Sequence, residues 1–308
     1  MIKRIYLIGL VLVIIVFSIS AATAPSIPID KPEKEKTYVD PTGLDPEFVK
    51  KSMIANSLES SMTQLSGPIS DDGFFYACDA FDPYPVVRWE LETGEGKETL
   101  ATSGENQYFL SGGTYSSEEV WYGCEYNSGG LWMINPDDGT MENIGGGGTS
   151  VNGLAWDPVY NRLYGLGSGG LYEYDPETGE QEFIGSTGVS DAMICMVIDK
   201  EGVAWSYDVK FSGNAILYNV DLETGECTEY CDMGQNLLYA QDGDLDYDTG
   251  ILWMAAYSDG GFYAYWDWYA EEIVTVTGLD SQYACAMIRS CCMCPESDVG
   301  VKAIHKPT

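Results

Sequence analysis

The chain has 308 residues, 48 of them acidic and 15 basic, for a formal net charge of −33. Such a charge repels nucleic acid and anionic lipid surfaces and argues against a nucleic-acid role, while it favours solubility and cation binding. Hydrophobic residues make up 45% of the sequence, so a core of ordinary size forms in one domain and the chain is not disordered.

Lys3 and Arg4 precede an apolar run from Ile5 to Phe17 and a stretch of small residues ending Ala21-Ala22-Thr23-Ala24. This pattern predicts a signal peptide over 1–22, cut after Ala22, and hence a secreted or cell-surface protein. A retained anchor is the alternative, and only then would the chain meet a membrane. Residues 23–44, rich in proline and charge, read as a linker. Asp45-Pro46-Glu47 then supplies an N-cap, a proline at the first helical position and an acid in the first turn. A short helix is expected over 45–60, with Phe48, Val49, Met53 and Leu58 as its apolar positions.

A repeat begins after it. Tyr174-Asp175-Pro176-Glu177-Thr178-Gly179-Glu180 returns as Val220-Asp221-Leu222-Glu223-Thr224-Gly225-Glu226, and in shorter or looser form around Gly94 and Gly139. These four glycines are spaced by 45, 40 and 46 residues, the blade length of a propeller. The chemistry is that of a hairpin turn, in which Asp and Thr side chains hold the backbone and Gly takes positive φ. An aromatic residue after an apolar one recurs at Tyr76, Tyr122, Tyr164, Trp205 and Trp253, each inside a short strand-like run.

Four short strands per unit make a propeller blade. Residues 73–104 supply only three strands, and Tyr283–Ile288 supplies a lone strand at the far end. Joining them closes the ring with no bare edge. The predicted fold is therefore all-β, a five-bladed propeller of four-stranded blades over 61–290, with a short N-terminal helix and flexible tails. The last segment, 291–308, is a tail containing Cys291, Cys292, Cys294 and the single histidine, His305. A ring without histidine has no Ser–His or Cys–His couple and no histidine-ligated metal.

The blade pattern (Leu171-Tyr172-Glu173-Tyr174-Asp175, the Thr-Gly turn, then Ile184-Gly185-Ser186-Thr187-Gly188) resembles that of secreted quinoprotein-like and YncE-like propellers. The resemblance covers about residues 73–290 and implies a prokaryotic cell-surface protein. It carries over no cofactor-binding residues and no catalytic ones. Val299 to Ile304 is similar to the first strand of an immunoglobulin-like module, which would make the sequence stop short of a further domain.

Three groups of residues invite a chemical reading. Asp242, Asp244 and Asp246 share one face of a strand, where alternate acids resemble part of a calcium loop, although Asp248 and Tyr247 align with turn and core positions of other blades. Trp266, Trp268 and Tyr269 stand where the usual Thr-Gly turn is lost and read as an exposed ligand-stacking patch, whereas alternation puts Tyr263 and Tyr265 in the core. Cys78 and Cys285 fall in neighbouring strands of the closing blade, as a disulfide locking the ring or as two buried thiols. The functional expectation is an extracellular binding or adhesion module that holds a glycan or protein partner on one propeller face. A carboxylate-dependent glycoside hydrolase or lyase and a structural subunit of an envelope layer or filament are the alternatives.

Overall fold

The computed structural model describes residues 72–101 and 108–290. The leader, linker and helix expected over 1–60 and the cysteine-containing tail lie outside them.

Twenty strands follow one another along the chain. They are β1 (Phe74–Asp79), β2 (Val86–Glu90), β3 (Glu98–Ala101), β4 (Leu110–Tyr115), β5 (Trp121–Glu125), β6 (Leu131–Ile134) and β7 (Met141–Gly145). Next come β8 (Gly153–Asp157), β9 (Arg162–Gly167), β10 (Gly170–Tyr174), β11 (Gln181–Gly185), β12 (Ala192–Ile198), β13 (Ala204–Val209) and β14 (Ile216–Val220). The series ends with β15 (Cys227–Asp232), β16 (Asp242–Asp246), β17 (Ile251–Tyr257), β18 (Gly261–Asp267), β19 (Glu272–Leu279) and β20 (Tyr283–Ile288).

They form five antiparallel four-stranded sheets, a five-bladed β-propeller. Blade 1 has the order β20-β1-β2-β3, so the last strand completes the first blade as the sequence requires. Cys78 of β1 pairs with Ala284 and Phe75 with Ile288. Blades 2 to 5 are β4–β7, β8–β11, β12–β15 and β16–β19. The first strand of each blade lines the axis and is buried almost throughout, while fourth strands such as β7 and β11 alternate half-buried with exposed positions.

The Thr-Gly turns do more than reverse the chain. Asp175 Oδ1 accepts the N–H groups of Glu177 and Thr178 at 2.8 and 3.2 Å, and Asp221 does the same for Glu223 and Thr224 at 2.8 and 3.1 Å. Gly179 has φ +71, and a Cβ there would also lie 2.5 Å from the carbonyl oxygen of Gly145 in the preceding blade. Glycine is thus needed twice over, for the left-handed backbone and for close blade-to-blade approach.

At the axis the first strands meet backbone to backbone. A Cβ on Gly113 would lie 2.6 Å from the Cys285 carbonyl carbon, and one on Gly153 would lie 2.5 Å from that of Cys195. Between blades the core is aromatic. Tyr263 stacks on Trp253 at 5.4 Å, packs edge-on to Phe75 at 5.2 Å and donates its hydroxyl to Leu91 O at 2.8 Å. That one side chain fastens blade 5 to blade 1 by area and by a satisfied polar tip.

Candidate functional site

The acidic strand β16 lies inside the ring. Asp242, Asp244 and Asp246 are buried side by side on the face turned toward β20. Asp242 Oδ2 accepts the N–H of Ala286 at 2.8 Å and of Gly113 at 2.9 Å, from two other blades. Asp244 Oδ2 accepts the N–H of Ile288 at 2.9 Å and its Oδ1 that of Leu245 at 2.9 Å. Asp246 accepts the Asp248 N–H at 3.0 Å and the Thr249 hydroxyl at 2.7 Å. Among the described residues no three His, Cys, Asp or Glu side chains are grouped to hold a metal ion. Most of the carboxylate oxygens are taken up by N–H and O–H groups. They serve the amides that an inner strand, having no partner on its axial side, would otherwise leave unpaired. Burial pushes Asp242 well above the usual carboxylate range, Asp244 up to about 8 and Asp246 up to about 6.

Trp266 is not part of an exposed patch. It is 1% exposed, packed in the core between blades 4 and 5. Its alternation with Tyr265 puts it on the face of β18 that turns toward blade 4. Trp268 is half-buried, 5.0 Å from the Trp205 ring, and donates its indole N–H to Gly250 O at 3.1 Å. Only Tyr269, 85% exposed, stands in solvent. Tyr263 is fully buried, as alternation requires, and Tyr265 is half-buried. Cys78 and Cys285 are buried free thiols on the paired strands β1 and β20, with Cys285 at a bulge of φ +51.

A different surface emerges when loops are sorted by the strand end they occupy. In an antiparallel blade, loops between second and third strands fall at the same end as connections from one blade to the next. That end carries Phe81, Tyr84, Tyr108, Phe109, Tyr126, Phe211, Tyr239 and Tyr257. Phe81, Tyr108, Tyr126, Phe211 and Tyr239 are exposed. The rings run in two chains. Phe211–Tyr239 at 5.9 Å and Tyr239–Tyr257 at 5.7 Å span blades 4 and 5, and Tyr84–Phe109 at 6.5 Å and Phe109–Tyr126 at 5.4 Å span blades 1 and 2. Phe81 lies between them, its carbonyl accepting the Tyr84 N–H at 2.6 Å. Charges are few here: among the described loops of this end the acids are Asp82, Asp191, Asp259 and Asp280. The turns at the other strand end carry the acid load, with pairs such as Glu92 and Glu95, Asp137 and Asp138, Glu177 and Glu180, and Glu223 and Glu226. No periodicity marks the aromatic face, because its rings are scattered over several loops of unlike length.

The same sorting places the ends of the ring. Residue 72 enters at the start of β1 and residue 290 leaves at the end of β20, both at the strand end opposite the aromatic loops.

A shallow groove of about 400 Å³ opens at the aromatic end between blades 5 and 1. Phe81, Tyr257, Leu279, Asp280, Ser281 and Gln282 line it, with Gly260 and Gly261. Its loops are tied together: Ala80 N–H donates to Gln282 O at 2.9 Å, Leu238 N–H to Tyr257 O at 2.8 Å and Ser281 Oγ to Asp79 Oδ1 at 2.8 Å. Asp280, its one charged residue, is bonded to the Lys97 ammonium and the Tyr283 hydroxyl, and the Lys97 bond holds it below the usual carboxylate range.

No family model and no curated protein matches the sequence. Solved structures do. A chain of the nidogen/laminin complex aligns over 71% of this chain and 98% of its own, at 12% identity and a TM-score of 0.49. TolB from Acinetobacter baumannii aligns over 75% of this chain, at 14% identity and a TM-score of 0.45, and this chain spans 59% of it. A gluconolactonase from Xanthomonas campestris aligns over 67% of this chain and 86% of its own, at 10% identity and a TM-score of 0.42. What the chain's own strand order establishes is a five-bladed β-propeller closed by its last strand.

Proposed function

We propose that the protein is an extracellular or cell-surface binding module of the YncE-like kind, which meets its partner with the aromatic loop end of the propeller. One observation carries this reading: Phe81, Tyr108, Tyr126, Phe211 and Tyr239, drawn from separate loops, all stand exposed at one end of the ring. Exposed aromatic residues gathered on one surface mark interaction sites rather than random scatter. The described ring begins at residue 72 and ends at residue 290, both at the opposite strand end. The leader-like segment over 1–22 supports export.

The hydrolase alternative draws less support. Two carboxyl groups must flank the scissile bond. The groove holds Asp280 alone, already bonded to Lys97, and the acids of β16 are engaged with backbone groups inside the ring.

The test is sedimentation of the full-length protein with cell-envelope material of its source, compared with the F81A/F211A/Y239A variant. Binding by the parent and its loss in a variant of unchanged melting temperature is the expected result. Equal sedimentation of the two would overturn the reading.

A further inference from the structure

We infer that the groove between blades 5 and 1, with Tyr239 and Phe211 as its outer lip, is a subsite for an uncharged carbohydrate chain. This rests on the binding-module reading and narrows it to a ligand class.

Charge is the first argument. The single charged side chain lining the groove, Asp280, is paired with Lys97, and Asp79 behind it accepts the Ser281 hydroxyl, so no free cation faces an anionic ligand there. The net charge of −33 also repels acidic polymers at long range. A cationic partner would be drawn instead to the opposite strand end, where Glu92, Asp137, Glu177 and Glu223 sit in successive turns. The ligand of the aromatic end is neutral.

Shape and chemistry are the second. Phe211 is 77% exposed, Phe81 56% and Tyr239 53%; Phe211 meets Tyr239 edge to face at 5.9 Å, and Tyr239 meets Tyr257 in the same way at 5.7 Å. A ring face therefore alternates with a ring edge along the lip. Beside them stand short polar groups. Ser281 is held by Asp79, and the Gln282 side-chain oxygen accepts the Ala240 N–H at 3.3 Å, which directs its amide nitrogen elsewhere. A partner with a flat apolar face and a rim of hydroxyls matches this surface, and that is a pyranose ring. The groove volume of about 400 Å³ lies toward the small end of ligand sites, enough for a short stretch of a sugar chain that continues along the lip.

An extended peptide is the rival, and strand addition needs an unpaired sheet edge. Tyr257 is paired with Gly261 and Gly261 with Leu279, so the inner strands at the groove are occupied and only the outer edge of β19, the fourth strand of its blade, stays open. The protease arm of the experiment separates that rival from a carbohydrate. The cross-linked loops fix the site before binding, which lowers the ordering cost of holding a weakly interacting neutral ligand.

The experiment is affinity electrophoresis of the full chain in gels containing neutral polysaccharides (a β-glucan, an α-glucan, a mannan and a xylan), with polygalacturonate as the charged control and EDTA in a parallel set. Retardation by at least one neutral polymer, unchanged by EDTA, is expected, together with at least a tenfold weakening in F211A/Y239A. Tyr269→Ala, at the other strand end, is expected to leave retardation unchanged. Retardation confined to polygalacturonate, or insensitive to F211A/Y239A, overturns the inference. Loss of retardation in EDTA overturns it too, since the ligand would then be bridged by a cation. Envelope material treated with periodate and with protease separates the two proposals. Face-dependent binding that survives periodate but not protease defeats the carbohydrate assignment and leaves the binding module standing.

Discussion

Asp242 of blade 5 accepts the backbone N–H of Ala286 in blade 1, so a side chain continues the hydrogen bonding of the strand that closes the ring. The same oxygen accepts the N–H of Gly113 in blade 2. Asp242→Ala strands both amides in a dry interior, at a cost of about 1–3 kcal/mol each. A loss of roughly 3 kcal/mol in urea unfolding is expected. Asp242→Asn keeps an acceptor for both, and because Oδ1 accepts no hydrogen bond among the described residues it is expected to lose far less. Equal losses in the two variants would show that charge, not the acceptor, matters.

Buried acids also set a pH dependence. Asp244 rises to about 8 and Asp246 to about 6 through burial, and Asp242 moves the same way. Their unfolded values lie near 4. Between these limits the folded state binds more protons than the unfolded one, so stability falls as pH rises. It is fully present below about pH 4 as far as these groups are concerned, and the loss through Asp244 is complete above its folded value. Urea titrations are expected to show a decline from about pH 4 to about pH 8, at up to about 1.4 kcal/mol per pH unit for each group still protonated. Asp244→Asn removes its share of the slope. A flat or rising profile would contradict the assignment.

Two glycines separate space from backbone conformation. Gly188 has φ +72 with nothing within 4 Å of a Cβ, so Gly188→Ala bears only the left-handed penalty, about 1–2 kcal/mol. At Gly113 the added carbon would meet the backbone of Cys285 and Ala286, which cannot swing aside as a side chain does. Gly113→Ala is expected to cost more, at least the roughly 1–3 kcal/mol of overpacking, and to loosen β20. Amide hydrogen exchange in 283–288 reads that loosening directly.

Tyr247 offers a milder probe. Its hydroxyl lies 2.9 Å from Ile198 O and 3.3 Å from Trp156 O, reaching from blade 5 to blades 4 and 3. Tyr247→Phe is expected to lose about 1 kcal/mol with no change in the aromatic-end binding. Loss of binding would mean that the two ends of the ring are coupled.

Blade architecture could be read from the sequence because it is local and repeated. A Thr-Gly turn every 40 to 46 residues and an apolar-aromatic strand between turns state the period, and the lone segment at 283–288 states the closure. The second role of Gly179, to admit Gly145 of the preceding blade, has no local signature. Asp242 and Asp244 looked like cation ligands because alternate acids on a strand suggest shared coordination. Their partners, Ala286 and Ile288, become neighbours only when the ring shuts. Trp266 misled because alternation with Tyr263 and Tyr265 set it on the opposite face of β18, and that face is covered by blade 4 only once the blades pack together. The aromatic end was hidden for a third reason. Phe81, Phe211 and Tyr239 stand far apart in sequence and sit in loops of unlike length. Only the strand order, which sends these loops to one end of the ring, brings them together.

The adjacency of residues 72 and 290 has a mechanical consequence. Tension passed through the flanking chain would load β1 and β20 where Phe75 faces Ile288, at the open end of their pairing. Strands pulled from that end separate bond by bond, like a zipper, instead of sharing the force across the whole ladder. The Asp244–Ile288 and Asp242–Ala286 bonds lie along that path as successive catches. A ring held under load would thus begin to open at blade 1, from the end remote from its aromatic loops.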